Sequence, residues 1–303
     1  MPASFRDRLV GVVVGGALGD TLGMPVEGLS HQNVRMYYKG IKDLRGDEKR
    51  EDLDRGQWTA DTQRVRLVAR ALTTSTPDSP EEAREAFESG MASAGDLRRP
   101  EVSSPSSALA AAAGPLGVQA RLRGLADLAG ARWAALLFQT IDPSPVAHVA
   151  ASSQAAAIRT CLGKDPASLT GPQILQAALT AARDGERLLG ADDRVSSRLA
   201  SLSGHLDDFP LDLQDRCAGT GSAADEAFPF ALAMVARSPS LVDSTLLAAV
   251  NVGGDAAAVG SCVGSLLGAL HGVEAFPSEW LDALEDADAI RSEANALADA
   301  LGG

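Results

Sequence analysis

The chain has 303 residues, of which 45% are hydrophobic, 22% charged and 4% aromatic. That is enough chain to bury a large core, and the apolar share excludes a wholly disordered protein. With 27 Lys and Arg against 40 Asp and Glu, the net charge of −13 argues against broad nucleic-acid binding, which needs cations facing phosphate, but leaves room for a small nucleotide pocket.

Helical spacing dominates from the N-terminus onward. Phe5, Leu9, Val12 and Val13 share one face and lead into Gly15, Gly16, Gly19 and Asp20. The apolar run Val10 to Leu18 closes at Asp20, short of the roughly 20 residues a membrane span needs, so no membrane association is expected. Lys39 to Gln57 is rich in charge and glycine and reads as a loop. Val65, Val68 and Leu72 predict a helix behind Trp58. Its Arg64 and Arg66 read first as a solvated face, with an anionic ligand as the alternative. Thr73 to Pro80 and Ser103 to Ser107 predict loops, and Glu81, Glu82 and Glu88 a solvated helix face between them.

Further on, Ile174, Ala177, Ala178 and Ala181 predict a helix, Asp207 to Asp215 with Pro210 a loop, and Phe230, Met234 and Val235 another helix. Ala256, Gly260, Gly264, Gly268 and Gly272 recur every four residues. Each interior glycine costs a helix about 1 kcal/mol relative to alanine, so the stripe predicts a second backbone passing close to this face. Strand-like alternation is almost absent. The expectation is an all-α protein forming a single domain over residues 1–303. Cys161, Cys217 and Cys262 lie far apart without CxxC spacing, which predicts buried free thiols and a cytoplasmic protein.

Four segments carry candidate chemistry. Gly15-Gly16-Ala17-Leu18-Gly19-Asp20-Thr21-Leu22-Gly23, followed by Pro25 and Glu27, places two carboxylates near a helix end. It is not a P-loop, for no Gly-Lys-Ser/Thr follows, nor a Rossmann turn, for no strand precedes it. In Trp58-Thr59-Ala60-Asp61-Thr62-Gln63, the oxygens suit either a hard cation such as Mg²⁺ or a helix N-cap. In Asn251-Val252-Gly253-Gly254-Asp255-Ala256-Ala257-Ala258, a Gly-Gly turn sets Asp255 at the head of the glycine-striped helix, where a carboxylate complements the dipole. Cys217-Ala218-Gly219-Thr220-Gly221-Ser222, with Glu226 in the next helix, offers amides of the kind that hold phosphate.

Together and in this order these segments resemble the ADP-ribosylglycohydrolase family. The matches run from Arg6-Asp7-Arg8-Leu9 through the Gly15–Asp20 block, Pro25-Val26-Glu27 and Trp58–Gln63 to Pro115-Leu116-Gly117. They resume at Ala249-Val250-Asn251-Val252-Gly253-Gly254-Asp255 and continue to Trp280. The resemblance implies a compact all-α fold with a cleft the size of ADP-ribose, and hydrolysis of the glycosidic bond at the anomeric carbon. It also implies two Mg²⁺ or Mn²⁺ ions, held by a Thr-Asp-Asp triplet and a Gly-Gly-Asp-x-Asp-Thr segment, with an early glutamate beside them. Such ions orient ribose hydroxyls and a water, and stabilise charge as the bond breaks.

The carry-over is partial. Thr59 and Asp61 match the first and third members of the triplet, but the second is Ala60. Asp255 matches the first acid of the late motif, whose second acid is Ala257 and whose threonine is Ala258. Glu27 matches the early glutamate. Where a Gly-Asn-Gly-Ala-Ala-Met-Arg-like stretch is usual, this chain has Ser106 to Ala112.

The resemblance thus assigns Glu27 and Asp61 as candidate catalytic groups and Thr59, Asp61 and Asp255 as a remnant metal set. It puts Asp20, Trp58, Gly219, Thr220, Gly221, Ser222, Asn251, Gly253 and Gly254 around the ligand. A methyl group cannot coordinate a cation, so Mg²⁺ is expected to bind weakly or not at all. The favoured expectation is a protein that binds ADP-ribose or a related nucleotide, with an ADP-ribosylated protein as a further partner and hydrolysis weak or lost. The alternative is an active glycohydrolase with one metal or none, using Glu27 or Asp61 as general base. A third reading is an interaction protein without a small ligand.

Overall fold

In the computed structural model, residues 3–46, 54–74, 80–95 and 106–303 are described. Among them the chain forms sixteen α-helices. In order these are α1 Phe5–Gly23, α2 His31–Tyr38, α3 Ala60–Thr74, α4 Pro80–Ala94, α5 Ala108–Ala111, α6 Gly114–Arg123, α7 Asp127–Phe138 and α8 Pro145–Gly163. There follow α9 Gly171–Leu189, α10 Arg194–Ser201, α11 Pro210–Arg216, α12 Ala224–Arg237, α13 Val242–Val250, α14 Ala256–His271, α15 Ser278–Ala283 and α16 Ala287–Ala300. The β-pairing among these residues consists of two isolated bridges, Ser30 to Gly253 and Ser106 to Ala223. The fold is all-α, as the helical periodicity predicts.

Local signals start and stop several of these helices. The Ser4 hydroxyl accepts the Asp7 N–H at 3.0 Å to open α1, and Thr170 and Gln173 form a capping box at α9. Gly124 and Gly190 end α6 and α9 in the left-handed conformation.

The centre of the molecule is the antiparallel pair α1 and α14. A Cβ added to Gly11, Gly15 or Gly19 would run into the backbone of Gly268, Gly264 or Gly260, and the reverse holds for each. Gly23 meets Ala256 in the same way. The close backbone predicted from the glycine interval therefore exists, and α1 supplies it with a matching stripe. Such proximity gains backbone dispersion contacts that offset the poor helix propensity of glycine. Leu9, Val12 and Val13 are buried, whereas Phe5 is exposed and lies under the Arg121 guanidinium.

Around this pair, α16 and α3 pack on α1, while α12 and α13 pack on α14. A second layer is organised by α8, against which α6, α7 and α9 lie. One apolar cluster runs from Leu9 to Leu301. Cys161, Cys217 and Cys262 are buried in it as thiols outside any disulfide, as expected, and burial pushes the Cys161 and Cys217 thiols up to about 12.

Several expectations need correction. The segment Phe5–Val26, 22 residues, is long and apolar enough to cross a membrane, because one acid does not interrupt the count; yet its apolar window is wholly buried inside the protein, as suits a central core helix. The stretch Asp207 to Asp215 is not all loop. Pro210 occupies the first position of α11, where its missing N–H has no helical partner to lose. Thr73 and Thr74 belong to the last turn of α3, their hydroxyls bonded to Ala69 O and Arg70 O. The rest of that expected loop, residues 75–79, lies outside the described residues, as do residues 47–53 of the Lys39 to Gln57 loop and 103–105 of the Ser103 to Ser107 loop. On α4, Glu81 and Glu82 are exposed, as predicted, with Ala83 and Phe87 buried on the other face, whereas Glu88 is half-buried and paired with Arg84 at 3.6 Å. Arg64 and Arg66 are not solvated: they are 3% and 9% exposed, because α3 is covered on several sides by other helices.

Candidate functional site

The C-terminal end of α1 lies beside the N-terminus of α14, a consequence of the antiparallel glycine contact. Two carboxylates from this end of α1 cap other helices. Asp20, fully buried in the last turns of α1, accepts the Thr59 N–H at 2.9 Å, the Thr62 N–H at 3.0 Å and the Thr62 hydroxyl at 2.6 Å, all on Oδ2. It thereby caps α3 from a distance. Burial raises the Asp20 carboxyl above the ordinary carboxylate range, against the hydrogen bonds from Thr62 and Thr59, which pull it down. Its Oδ1 is buried without a hydrogen-bond partner among the described residues. Glu27, after the short 3-10 turn Met24–Val26, accepts the Ala257 N–H at 2.8 Å in the first turn of α14.

The Gly-Gly turn is pinned from two sides. The Gly28 N–H donates to Gly254 O at 2.8 Å, and the Gly254 N–H to Leu29 O at 2.8 Å. The Thr220 hydroxyl donates to Gly253 O at 3.0 Å and receives Gln214 Nε2 at 3.0 Å, while the Asp255 N–H donates to Thr220 O at 2.6 Å. Gly253 and Gly254 have φ of +84° and +77°, and a Cβ on either would strike Leu29 or Thr220, so both positions require glycine. Asp255 then caps α14, accepting the Ala258 N–H at 3.4 Å as well as the Ser107 hydroxyl. The cap role expected for Asp255 holds.

At the head of α3, the Asp61 N–H donates to Thr59 Oγ1 at 3.2 Å. The Asp61 carboxylate pairs with Arg64 Nη1 at 3.2 Å, both side chains being almost completely buried. α5 packs against both α3 and α14, and Ser107, just before it, bonds the Asp255 cap of α14. The Ser107 N–H donates to Ser222 O at 3.0 Å, and the Ser106 N–H to Asp142 Oδ2 at 2.7 Å.

The remaining candidates fall around this junction or beside it. Asn251 holds Ile41, accepting its N–H at 2.6 Å and donating to its carbonyl at 2.9 Å, and donates a second time to Leu247 O. Trp58 points its indole N–H to Glu285 O at 3.2 Å, with the Arg66 guanidinium 5.3 Å from its ring centroid. Arg66 also bonds Asp286 at 2.8 Å and Glu293 at 3.0 Å, so its place is structural. In the Gly219–Ser222 loop, the Gly221 N–H donates to Glu226 Oε2 at 3.1 Å, which sets a side-chain carboxylate against an amide expected to face phosphate. Sequence reasoning did not find Ser107 on Asp255, nor the ion pair of Arg64 with Asp61. The second has a visible signal, a basic residue three positions after an acid on one helix.

Ala60, Ala257 and Ala258, at the positions where the resemblance leads one to expect two acids and a threonine, are buried methyls. Among the described residues, no three His, Cys, Asp or Glu side chains gather where they could hold a metal ion.

A protein of Archaeoglobus fulgidus, described as uncharacterized, is 26% identical over 315 aligned positions that span 98% of this chain and 96% of that protein. A solved structure described as an ADP-ribosylglycohydrolase-related protein complex shares the fold, with a TM-score of 0.65, 23% identity and 97% of both chains covered. The sequence pattern of the family described as ADP-ribosylglycohydrolase matches residues 1–303. The match runs the whole length of the chain, and the protein therefore belongs to the ADP-ribosylglycohydrolase family.

Proposed function

We propose that this protein binds ADP-ribose or a related nucleotide where the ends of α1, α3 and α14 converge, with hydrolysis weak or lost. An ADP-ribosylated protein is a natural carrier of that ligand, and we place the protein in the cytoplasm as one domain over residues 1–303. The observation that supports this reading is a set of fastened turns around buried methyls at the three positions where the resemblance implies metal donors. The Gly253-Gly254 turn, the Thr220 loop and the Glu27 cap are all fastened to one another or to α14, while Ala60, Ala257 and Ala258 carry no donor.

A dinuclear Mg²⁺ centre needs several carboxylate oxygens at about 2.1 Å from each ion. Here Asp61 is paired with Arg64, Asp255 takes the Ser107 hydroxyl and Asp20 takes three donors from α3 and its approach. This donor set does not fit two ions, and no step of the proposal runs through them. One observation favours a second reading. Glu27 is the partly exposed member of the four retained acids, and a carboxylate with access to water can act as general base on a glycosidic bond.

Calorimetric titration with ADP-ribose, in Mg²⁺ and separately in EDTA, tests both readings. Binding that is indifferent to EDTA supports the metal-independent binder. Release of ADP-ribose from a modified protein in EDTA, lost in Glu27→Gln, would establish the second reading. Binding abolished by EDTA would overturn both in favour of a metallohydrolase.

A further inference from the structure

The group that the family pattern does not explain is Arg64. It lies one turn after Asp61 on α3, is 3% exposed, and among the described residues has Asp61 as its polar partner. Its Nε is buried without any hydrogen bond. A guanidinium carries five N–H donors in a rigid fork; among the described residues Nη1 of this one donates to Asp61 at 3.2 Å while its Nε–H is unmet. Burying such a donor unmet is unfavourable. The neighbouring Arg66 illustrates the contrast, its donors met by Asp286 and Glu293. The carboxylate that orients Arg64 is one that the resemblance assigns to the metal set, so a guanidinium stands directly beside it.

We propose that Arg64 is the ligand-anchoring cation of this site: held in place by Asp61, its guanidinium takes the oxygens of a phosphate group on the bound ligand, and the site binds without divalent metal. Guanidinium suits this task because its planar fork meets two phosphate oxygens at once. The inference rests on the nucleotide-binding reading above and names the residue and the ligand group that carry it. Three other features offer less. The small cavity beside Gln119 and Arg159 has room for little more than a water, the hollow among Asp208, Asp212 and Asp215 is an acidic cluster, and nothing on the exposed Phe209 indicates what covers it.

The test is calorimetry in EDTA with wild type, Arg64→Met and Arg64→Lys, each titrated with ADP-ribose and with inorganic pyrophosphate. Thermal melts report whether each variant folds; should Arg64→Met not fold, Arg64→Lys, which keeps the charge and loses the fork, decides the matter. The expected result is wild-type binding of both probes, at least tenfold weaker binding in Arg64→Met and an intermediate loss in Arg64→Lys. If folded variants bind both probes within twofold of wild type, or if wild type binds neither, the inference is overturned. Wild-type binding of pyrophosphate alone, lost in Arg64→Met, would uphold Arg64 as a phosphate anchor while removing ADP-ribose as the ligand.

Discussion

Asp20 takes three hydrogen bonds on one oxygen and leaves the other unpartnered. Removing it in Asp20→Ala strands two backbone N–H groups and the Thr62 hydroxyl, and the expected destabilisation is about 3–5 kcal/mol by urea unfolding. Its carboxyl is raised by burial, so the folded state holds a proton that the unfolded chain has already released. The Asp20 contribution is therefore fully present below the ordinary carboxylate value and is lost as pH rises from there through the raised value. Asp20→Asn keeps an acceptor for the three donors and cannot titrate. Unfolding measured from pH 3 upward should show that downward slope in wild type and its absence in Asp20→Asn. The methyls at 60, 257 and 258 offer a complementary test. Ala60→Asp with Ala257→Asp and Ala258→Thr should create Mn²⁺ binding detectable by calorimetry, and adding Arg64→Met should tighten it by removing the competing cation. Failure of the fourfold variant to bind Mn²⁺ would refute the idea that missing donors are what sets this site apart from a metal centre.

Between elements, the decisive contact is α1 against α14. Gly264→Ala puts a methyl into the Gly15 carbonyl, where backbone and not a flexible side chain must move, and the expected cost is above about 3 kcal/mol. Gly130 in α7 has nothing within 4 Å of an added Cβ, so Gly130→Ala should be neutral or stabilising by up to about 1 kcal/mol. Thermal or urea unfolding of the pair separates close approach from helix propensity, since propensity alone would make both changes stabilising. The glycine interval was legible because a four-residue repeat is a property of one helix. Its partner was not, because the α1 stripe of Gly11, Gly15, Gly19 and Gly23 gains its meaning only when the two are superposed in antiparallel register. The Asp207 to Asp215 stretch differs from the expected loop for a local reason: proline, poorly tolerated inside a helix, is well suited to open one, as Pro210 does for α11.

At the scale of the whole molecule, the expectation is a protein whose stability does not depend on divalent metal. Melting temperature should be unchanged between EDTA and Mg²⁺, while ADP-ribose at a hundredfold excess over its Kd should add about 2.7 kcal/mol in either buffer. A large loss of stability in EDTA would count against the donor argument. The thiols report on the same core: Cys161 and Cys217 are buried and pushed up to about 12, so they should resist thiol reagents at pH 8 until the chain is unfolded.

By itself the sequence determined the helical class, the cap at Asp255, the close approach demanded by the glycine stripe and the family, since each is written in periodicity, in spacing or in the order of short motifs. Only the tertiary structure decided what the retained acids do. Asp20 reaches a helix head 39 residues away and Glu27 one 230 residues away, and Ser107 closes on Asp255 across 148. Arg64 and Arg66 show the same limit from the other side. Their charge suggests solvent, but helices packed around α3 bury both, giving Arg66 bonds to Asp286 and Glu293 and Arg64 its pair with Asp61. The physical reason is common to all of these: a hydrogen bond or an ion pair depends on where two distant backbones come to lie, and that is set by the packing of the core and not by the residues beside it in the chain.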